Sequence, residues 1–223
     1  MRDSLRQNGI DAPNSLTSDG VGYEFWQNPD LVLSQTCGYP YRSVLREKVN
    51  LVGTPDYGLE GCPAGYYHSV FIVRADSQVK DIRDLAGARM AYNDTHSQSG
   101  FHGPRAFAEK QGIELSFDVE TGAHRASALA VYEGRAATAA LDAVTWRNLV
   151  RFEEFASALR VVARTWPVPG LPLICARRFE ASIIAEAFEK GFTQLRADFK
   201  QYLGIVGFVR MQPEDYSSAA FLR

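Results

Sequence analysis

Short apolar runs of strand length alternate with amphipathic helical stretches along nearly the whole chain, and no other sequence feature restricts the fold as much. Leu31-Val32-Leu33 reads as a strand, with a helix following near residues 39–47. Val49 to Val52 is the next strand, ending at Thr54-Pro55, and Val70 to Val73 is another, beyond a loop rich in glycine and proline. Arg89 to Tyr92 leads to a helix reaching about Gln111. Phe117 to Val119 leads to a helix over about 123–133, and Ala137 to Leu141 to a helix from Ala143 towards Phe152. Leu159 to Ala163 and Leu171 to Ala176 flank the hinge-like Pro167-Val168-Pro169-Gly170, and a long helix is expected from about Phe179 to Tyr202. Strands alternating with helices predict an α/β fold with mainly parallel sheets flanked by helices.

At 223 residues the chain suits one large domain or two small lobes and can bury a real core. Hydrophobic content of 46% and charged content of 22% are those of a globular protein. A net charge of -2, with Lys and Arg scattered, excludes the basic footprint of a nucleic-acid binder. No apolar run approaches the roughly 18 residues needed to span a membrane, and MRDSLRQNGIDAPNSL contains no apolar core of a secretory signal. Cys37, Cys62 and Cys175 fit neither a zinc spacing nor a redox pair. They read as free structural thiols, with a Cys37–Cys62 disulfide open in an oxidising compartment. No cofactor or metal is expected.

In parallel α/β sheets, ligands sit outside the carboxyl ends of strands, where helices begin. The unusual residues of this chain collect there. The junctions are Ser34-Gln35-Thr36-Cys37-Gly38, Ser97-Gln98-Ser99-Gly100, Thr121-Gly122-Ala123-His124 and Asp142 to Trp146. The first two share a Ser-Gln-hydroxyl character and a glycine, which suggests two similar half-sites.

A helix start leaves backbone N–H groups without intrahelical acceptors, and with the helix dipole these form an anion site. Hydroxyls add donors, and glycine lets a ligand approach the backbone. Taken alone, Ser97 or Ser99 reads as an ordinary helix cap. Pro104, costly deep inside a helix, is expected to move the regular helix start to Gly103 and leave 97–100 in a preceding turn. His124 and Ser127 share a helical face, and His124 reads either as a solvent-exposed residue or as a pH-switchable donor to an anion. Asp142 reads as the cap of the helix at Ala143 or as an acceptor for a ligand amine or a protonated oxyanion. Tyr39, Tyr41, Tyr66 and Tyr67 offer aromatic walls with polar tips.

In order, SQTCGYPY, LVGTPDYG, GCPAGYYHS, SQSG, TGAHRASALAVYEGRA, ALDAVTW and PGLPLI resemble a phosphonate-type ABC transporter substrate-binding protein, over about residues 31–176. The resemblance implies a two-lobe fold of the type II periplasmic-binding-protein kind, with a ligand cleft between the lobes. Domain I would be 1–75 plus 166–223, and domain II the inserted 76–165. The implied ligand is a small oxyanion, phosphate, phosphite or a phosphonate, held at helix N-termini. The implied contacts are Asn93, Ser97, Ser99, Gly100, His124, Asp142 and Thr145 from domain II. From domain I they are Gln35, Thr36, Tyr39 and Tyr66. The fold normally opens with a strand before its first helix, whereas this chain reads as starting inside that helix, so domain I is expected to lack its first strand.

The leading functional expectation is therefore a solute-binding protein without chemistry of its own. It would capture the anion for ABC-type uptake and present it to a permease, with no nucleic acid and no membrane insertion. Its location would be periplasmic by resemblance, with the cytoplasm open because no signal segment is visible. The alternative is a cytoplasmic enzyme or metabolite sensor on the same fold, with Cys37, His124 and Asp142 as nucleophile, base and orienting group.

Overall fold

The computed structural model describes residues 1–17 and 22–217. Residues 18–21 and 218–223, assigned above to domain I, lie outside the described residues. The chain divides into two compact units, one of residues 1–66 with 169–217, the other Tyr67–Val168.

The second unit is built on a five-stranded sheet in the order Ser116–Glu120, Arg89–Tyr92, Thr138–Asp142, Ser69–Arg74, Leu159–Arg164. Arg89–Tyr92 pairs in parallel with both Ser116–Glu120 and Thr138–Asp142. Each of those neighbours is reached through a helix, Gly103–Lys110 or His124–Tyr132, as parallel crossovers require. Ser69–Arg74 pairs antiparallel on both sides, with Thr138–Asp142 and Leu159–Arg164. It belongs to this unit, although the boundary expected near residue 75 placed it in domain I. The central strands, wholly covered, read Val70-Phe71-Ile72-Val73 and Ala139-Ala140-Leu141, all 3% exposed or less. Phe71, Val73, Met90 and Ala140 pack with Ile82, Leu85, Ala108 and Ile113 into one core.

The first unit has a four-stranded sheet in the order Ser34–Gln35, Leu173–Ala176, Val49–Asp56, Gly207–Val209. All its described pairs are antiparallel. The parallel arrangement read from the sequence thus holds only for part of the second unit. In the first unit neighbouring strands come from distant chain segments, and the returning segment 173–176 runs opposite to the strands it joins. Helices Arg2–Gln7 and Ala181–Gln194 cover this sheet through Leu5, Ile184, Ala185 and Ala187, against Val52, Leu173 and Cys175.

Several local expectations shift. The first strand is Ser34–Gln35, while 31–33 only runs alongside, Leu31 accepting the Ala176 N–H at 2.8 Å. The long C-terminal helix breaks into Ala181–Gln194 and Ala197–Leu203. Leu195 and Arg196 are extended there, and the Arg196 guanidinium clamps Asp198 at 2.6 Å in the first turn of the second helix. All three cysteines are free thiols, and burial pushes Cys175 up to about 12. No helix among the described residues is long and apolar enough to cross a membrane.

Phe71 is fully buried at the centre of the second unit's sheet, against the Phe107 ring at 6.0 Å. Phe71→Ala is expected to destabilise this unit by about 3–5 kcal/mol, read from urea unfolding monitored by the fluorescence of Trp146 and Trp166.

Candidate functional site

The parallel strands of the second unit end at one edge, where the polar junctions begin. Arg89–Tyr92 runs into Asn93, Ser116–Glu120 into Thr121, and Thr138–Asp142 directly into helix Ala143–Phe152. Side chains from these separate segments therefore converge.

Ser97 is extended and caps the first junction, its Oγ accepting the Gly100 N–H at 3.0 Å. Residues Gln98–His102 form a π turn, in which the His102 N–H reaches back five residues to the Ser97 carbonyl at 3.0 Å. The α-helix Gly103–Lys110 then begins where Pro104 was expected to set it. Proline brings no N–H, so the carbonyls behind it are released and the turn widens. A wide first turn leaves one more N–H without an intrahelical acceptor than an α turn would. Ser97, Gln98 and Ser99 are 5%, 2% and 3% exposed.

The Ser99 Oγ lies 2.9 Å from His124 Nε2. The same nitrogen lies 3.5 Å from Asp142 Oδ2, with the two side chains 15% and 7% exposed. The other carboxylate oxygen, Oδ1, accepts the Thr145 N–H at 2.8 Å and caps helix Ala143–Phe152. Asp142 is thus a cap with one oxygen and faces the imidazole with the other, while Thr145 enters through its backbone. Gly100 packs between Asn93 and His124. A Cβ there would collide with Asn93 Oδ1 and stand 3.1 Å from His124 Cε1. Asn93 Oδ1 is buried and has no hydrogen-bond partner.

His124 is largely buried rather than solvent-exposed. Burial holds its imidazole below the ordinary value of 6.5, against the opposite pull of the Asp142 carboxylate and the Ala140 carbonyl. It is accordingly neutral at pH 7. Ser127 does not join it: its hydroxyl meets that of Thr121 at 2.7 Å, and Thr121 also donates to the Tyr92 carbonyl at 3.0 Å. Neither His124 nor Asp142 pairs with a Lys or Arg among the described residues.

In the first unit, Gln35 is exposed, its amide 3.3 Å from both the Tyr57 hydroxyl and the Leu171 carbonyl. Thr36 is 3% exposed, donates its N–H to the Pro172 carbonyl at 2.9 Å, and leaves its buried Oγ1 without a partner. Tyr39 follows under the Arg42 guanidinium, 4.7 Å away, and Tyr66 forms a short strand with Tyr67. A second π turn, Tyr41–Leu45, follows Pro40. Tyr57, inside LVGTPDYG, is the residue that sequence reasoning passes over. Its signal was its place immediately beyond strand Val49–Asp56.

A family model described as ABC transporter, phosphonate, periplasmic substrate-binding protein matches residues 30–216. No curated protein matches the chain. Among solved structures, PhnD1 from Prochlorococcus marinus in complex with methylphosphonate is similar with a TM-score of 0.74 at 16% identity, over 87% of this chain and 78% of that one. A binding protein component of an ABC phosphonate transporter from Pseudomonas aeruginosa gives 0.70 at 16% identity, over 96% and 75%. XAC2383 from Xanthomonas citri, bound to ATP, gives 0.66 at 18% identity, over 89% and 78%. At such identities the likeness is one of fold.

Two outcomes follow from this geometry. Gly100→Ala is expected to lower stability by roughly 1–3 kcal/mol, because Asn93 and His124 must both give way, measurable by chemical denaturation. His124 has a lower pKa folded than unfolded, so below about 6.5 the unfolded chain binds the extra proton. Stability is full above that pH and falls as pH drops through 6.5. His124→Asn is expected to flatten this part of a pH–stability curve.

Proposed function

Since the chain belongs to the family of periplasmic substrate-binding proteins of phosphonate ABC transporters, we propose that its second unit holds a small phosphorus oxyanion at the Ser97–Gly100 turn. This is a family of transport proteins and not of enzymes, and its members deliver a small anionic ligand to a permease. The observation that carries the reading is the capped π turn whose Ser99 hydroxyl meets His124. It supplies oriented N–H and hydroxyl donors without a cationic side chain, which suits a tetrahedral oxyanion better than a carboxylate clamped by arginine.

In this reading Ser97, Ser99 and Gly100 give the primary contacts. His124 donates from Nε2, and Asn93, Asp142 and Thr145 complete the second unit's set. Gln35, Thr36, Tyr39 and Tyr66 form the first unit's set, with the unpartnered Thr36 hydroxyl the group most in need of a ligand atom. A periplasmic location goes with the role.

Ser99, His124 and Asp142 do not form a catalytic relay. A serine–histidine–carboxylate relay places nucleophile and carboxylate on opposite ring nitrogens. Here Ser99 and Asp142 both face Nε2, so the carboxylate cannot orient the ring for a nucleophile on that side.

A thermal-shift series with phosphate, phosphite, methylphosphonate, 2-aminoethylphosphonate, sulfate and simple carboxylates tests the reading. A ligand at about a hundred times its Kd stabilises the fold by roughly 2.7 kcal/mol. The expected result is a response to at least one phosphorus oxyanion that Ser97→Ala with Ser99→Ala abolishes. No response to any of them, or a response that the double variant keeps, would remove the turn as the binding element.

A further inference from the structure

Strand Ser116–Glu120 forms one edge of the second unit's sheet and pairs, among the described residues, with Arg89–Tyr92 alone. Its inner side is bonded. The Ser116 N–H reaches the Ala88 carbonyl at 3.1 Å, and the following Thr121 N–H reaches the Tyr92 carbonyl at 2.9 Å. Its outer side presents backbone N–H and C=O groups to which a further strand can add. Lysine and proline commonly blunt such an edge, and neither occurs in this one. It carries instead a shift of register at Asp118, between the partners of Met90 and Ala91, and two exposed carboxylates, Asp118 and Glu120.

Beside the edge lies a groove of about 560 Å³, walled by helix Gly103–Lys110, the connection 111–115 and the strand itself. Its apolar lining is Phe101, Ala108, Ile113, Leu115 and Phe117. The Phe101 and Phe117 rings meet edge to face at 4.8 Å, and both stay half-buried, as does Leu115. Side chains of an added strand alternate in direction, so every second one would turn towards this groove. Strand addition needs these two elements together: an open backbone edge for main-chain bonds and a pocket for alternate side chains.

The surroundings fix the sign of the occupant. Glu114 is exposed and has no side-chain partner among the described residues. Glu120 meets the Tyr92 hydroxyl at 3.4 Å and no cation. Asp118 accepts the Ser116 hydroxyl at 2.9 Å and has Arg89 only at 4.0 Å. The other cations of the helix are engaged elsewhere, Arg105 by Glu109 at 2.9 Å and Lys110 over the Trp166 ring. A second copy offering the same edge would set Asp118 and Glu120 against their own counterparts, which is destabilising. A basic strand is drawn to them instead.

We infer that this edge is a docking site for an extended basic segment of a partner protein. The segment adds a strand outside Ser116–Glu120, seats a bulky apolar side chain in the groove, and pairs alternate Lys or Arg with Glu114, Asp118 and Glu120. None of these residues is among those assigned to the oxyanion, so docking here and oxyanion binding stand or fall separately.

Fluorescence anisotropy with the labelled peptide Lys-Val-Lys-Phe-Lys-Val-Lys tests this on the unaltered chain. Saturable binding with a Kd below about 1 mM is expected, together with slowed amide exchange over residues 116–120. Serine in place of the central Phe is expected to weaken binding roughly tenfold. Proline in place of both Val residues removes edge donors and is expected to abolish it. Glu in place of every Lys is expected to abolish it as well. Glu114→Lys with Glu120→Lys is expected to weaken the basic peptide by at least about tenfold and to reduce its salt dependence. No binding, equal binding of the acidic peptide, or binding that leaves exchange over 116–120 unchanged overturns the inference. Self-association in sedimentation that protects the same residues without peptide assigns the edge to a second copy, and overturns it too. The peptide series uses the native sequence, so it decides the question even where the charge-reversed chain fails to fold.

Discussion

One imidazole nitrogen ties the second unit's site together. His124 Nε2 receives Ser99 from one chain segment and Asp142 from another. Each of the three stands at a junction set by a parallel strand of one sheet. The strand order is what brings them close, since their spacing along the chain is 25 residues from Ser99 to His124. The sheet core of Phe71, Val73, Met90 and Ala140 therefore sets the site geometry, touching it only through the Ala140 carbonyl. In a parallel pair the helices must start at the same edge, and so their unbonded amides share that edge.

Burial gives the same residues their electrical character. An exposed histidine near a carboxylate would gain a proton and become the cation of an ordinary ion pair. Buried, it stays neutral, and the carboxylate beside it meets no Lys or Arg among the described residues. Asp142 is held in place all the same, because its other oxygen is fixed by a helix start. Ser97 caps through its Oγ, and Asp142 caps with one carboxylate oxygen while the other faces His124.

Much of this was legible in sequence, for identifiable reasons. The strands Arg89–Tyr92 and Thr138–Asp142 were clear because 90–92 and 139–141 are covered on both faces and continuously apolar. The helix start at Gly103 followed from Pro104 alone. The antiparallel pairing of the first unit was not legible, because strand direction depends on where a returning segment docks and leaves no periodic mark. The break at Leu195 carries neither glycine nor proline, and Arg196 pairs with Asp198 just beyond it. The burial of His124 was hidden as well. Its neighbours in sequence are polar and exposed, and the groups that cover it come from residues 93–100 and 140–142. The pairing of Ser127 with Thr121 rather than with His124 is a matter of which side of a shared helical face each residue meets.

The π turn at Gln98–His102 has a geometric consequence for the rest of its helix. An α-helix advances about 100° per residue, so the one extra residue rotates everything after it relative to everything before. Before it lies the serine cap; after it lie Phe107, against Phe71 at 6.0 Å and Trp166 at 5.2 Å, and the buried Ala108. The wide turn is a phase adjuster. It lets one short helix point its first amides at the strand edge and its apolar stripe at the sheet, two directions that an unbroken α-helical register from Ser97 would not satisfy together. Loss of a single residue from 98–102 would leave either the stripe or the amides misaligned, so the length of this segment is fixed more tightly than its composition.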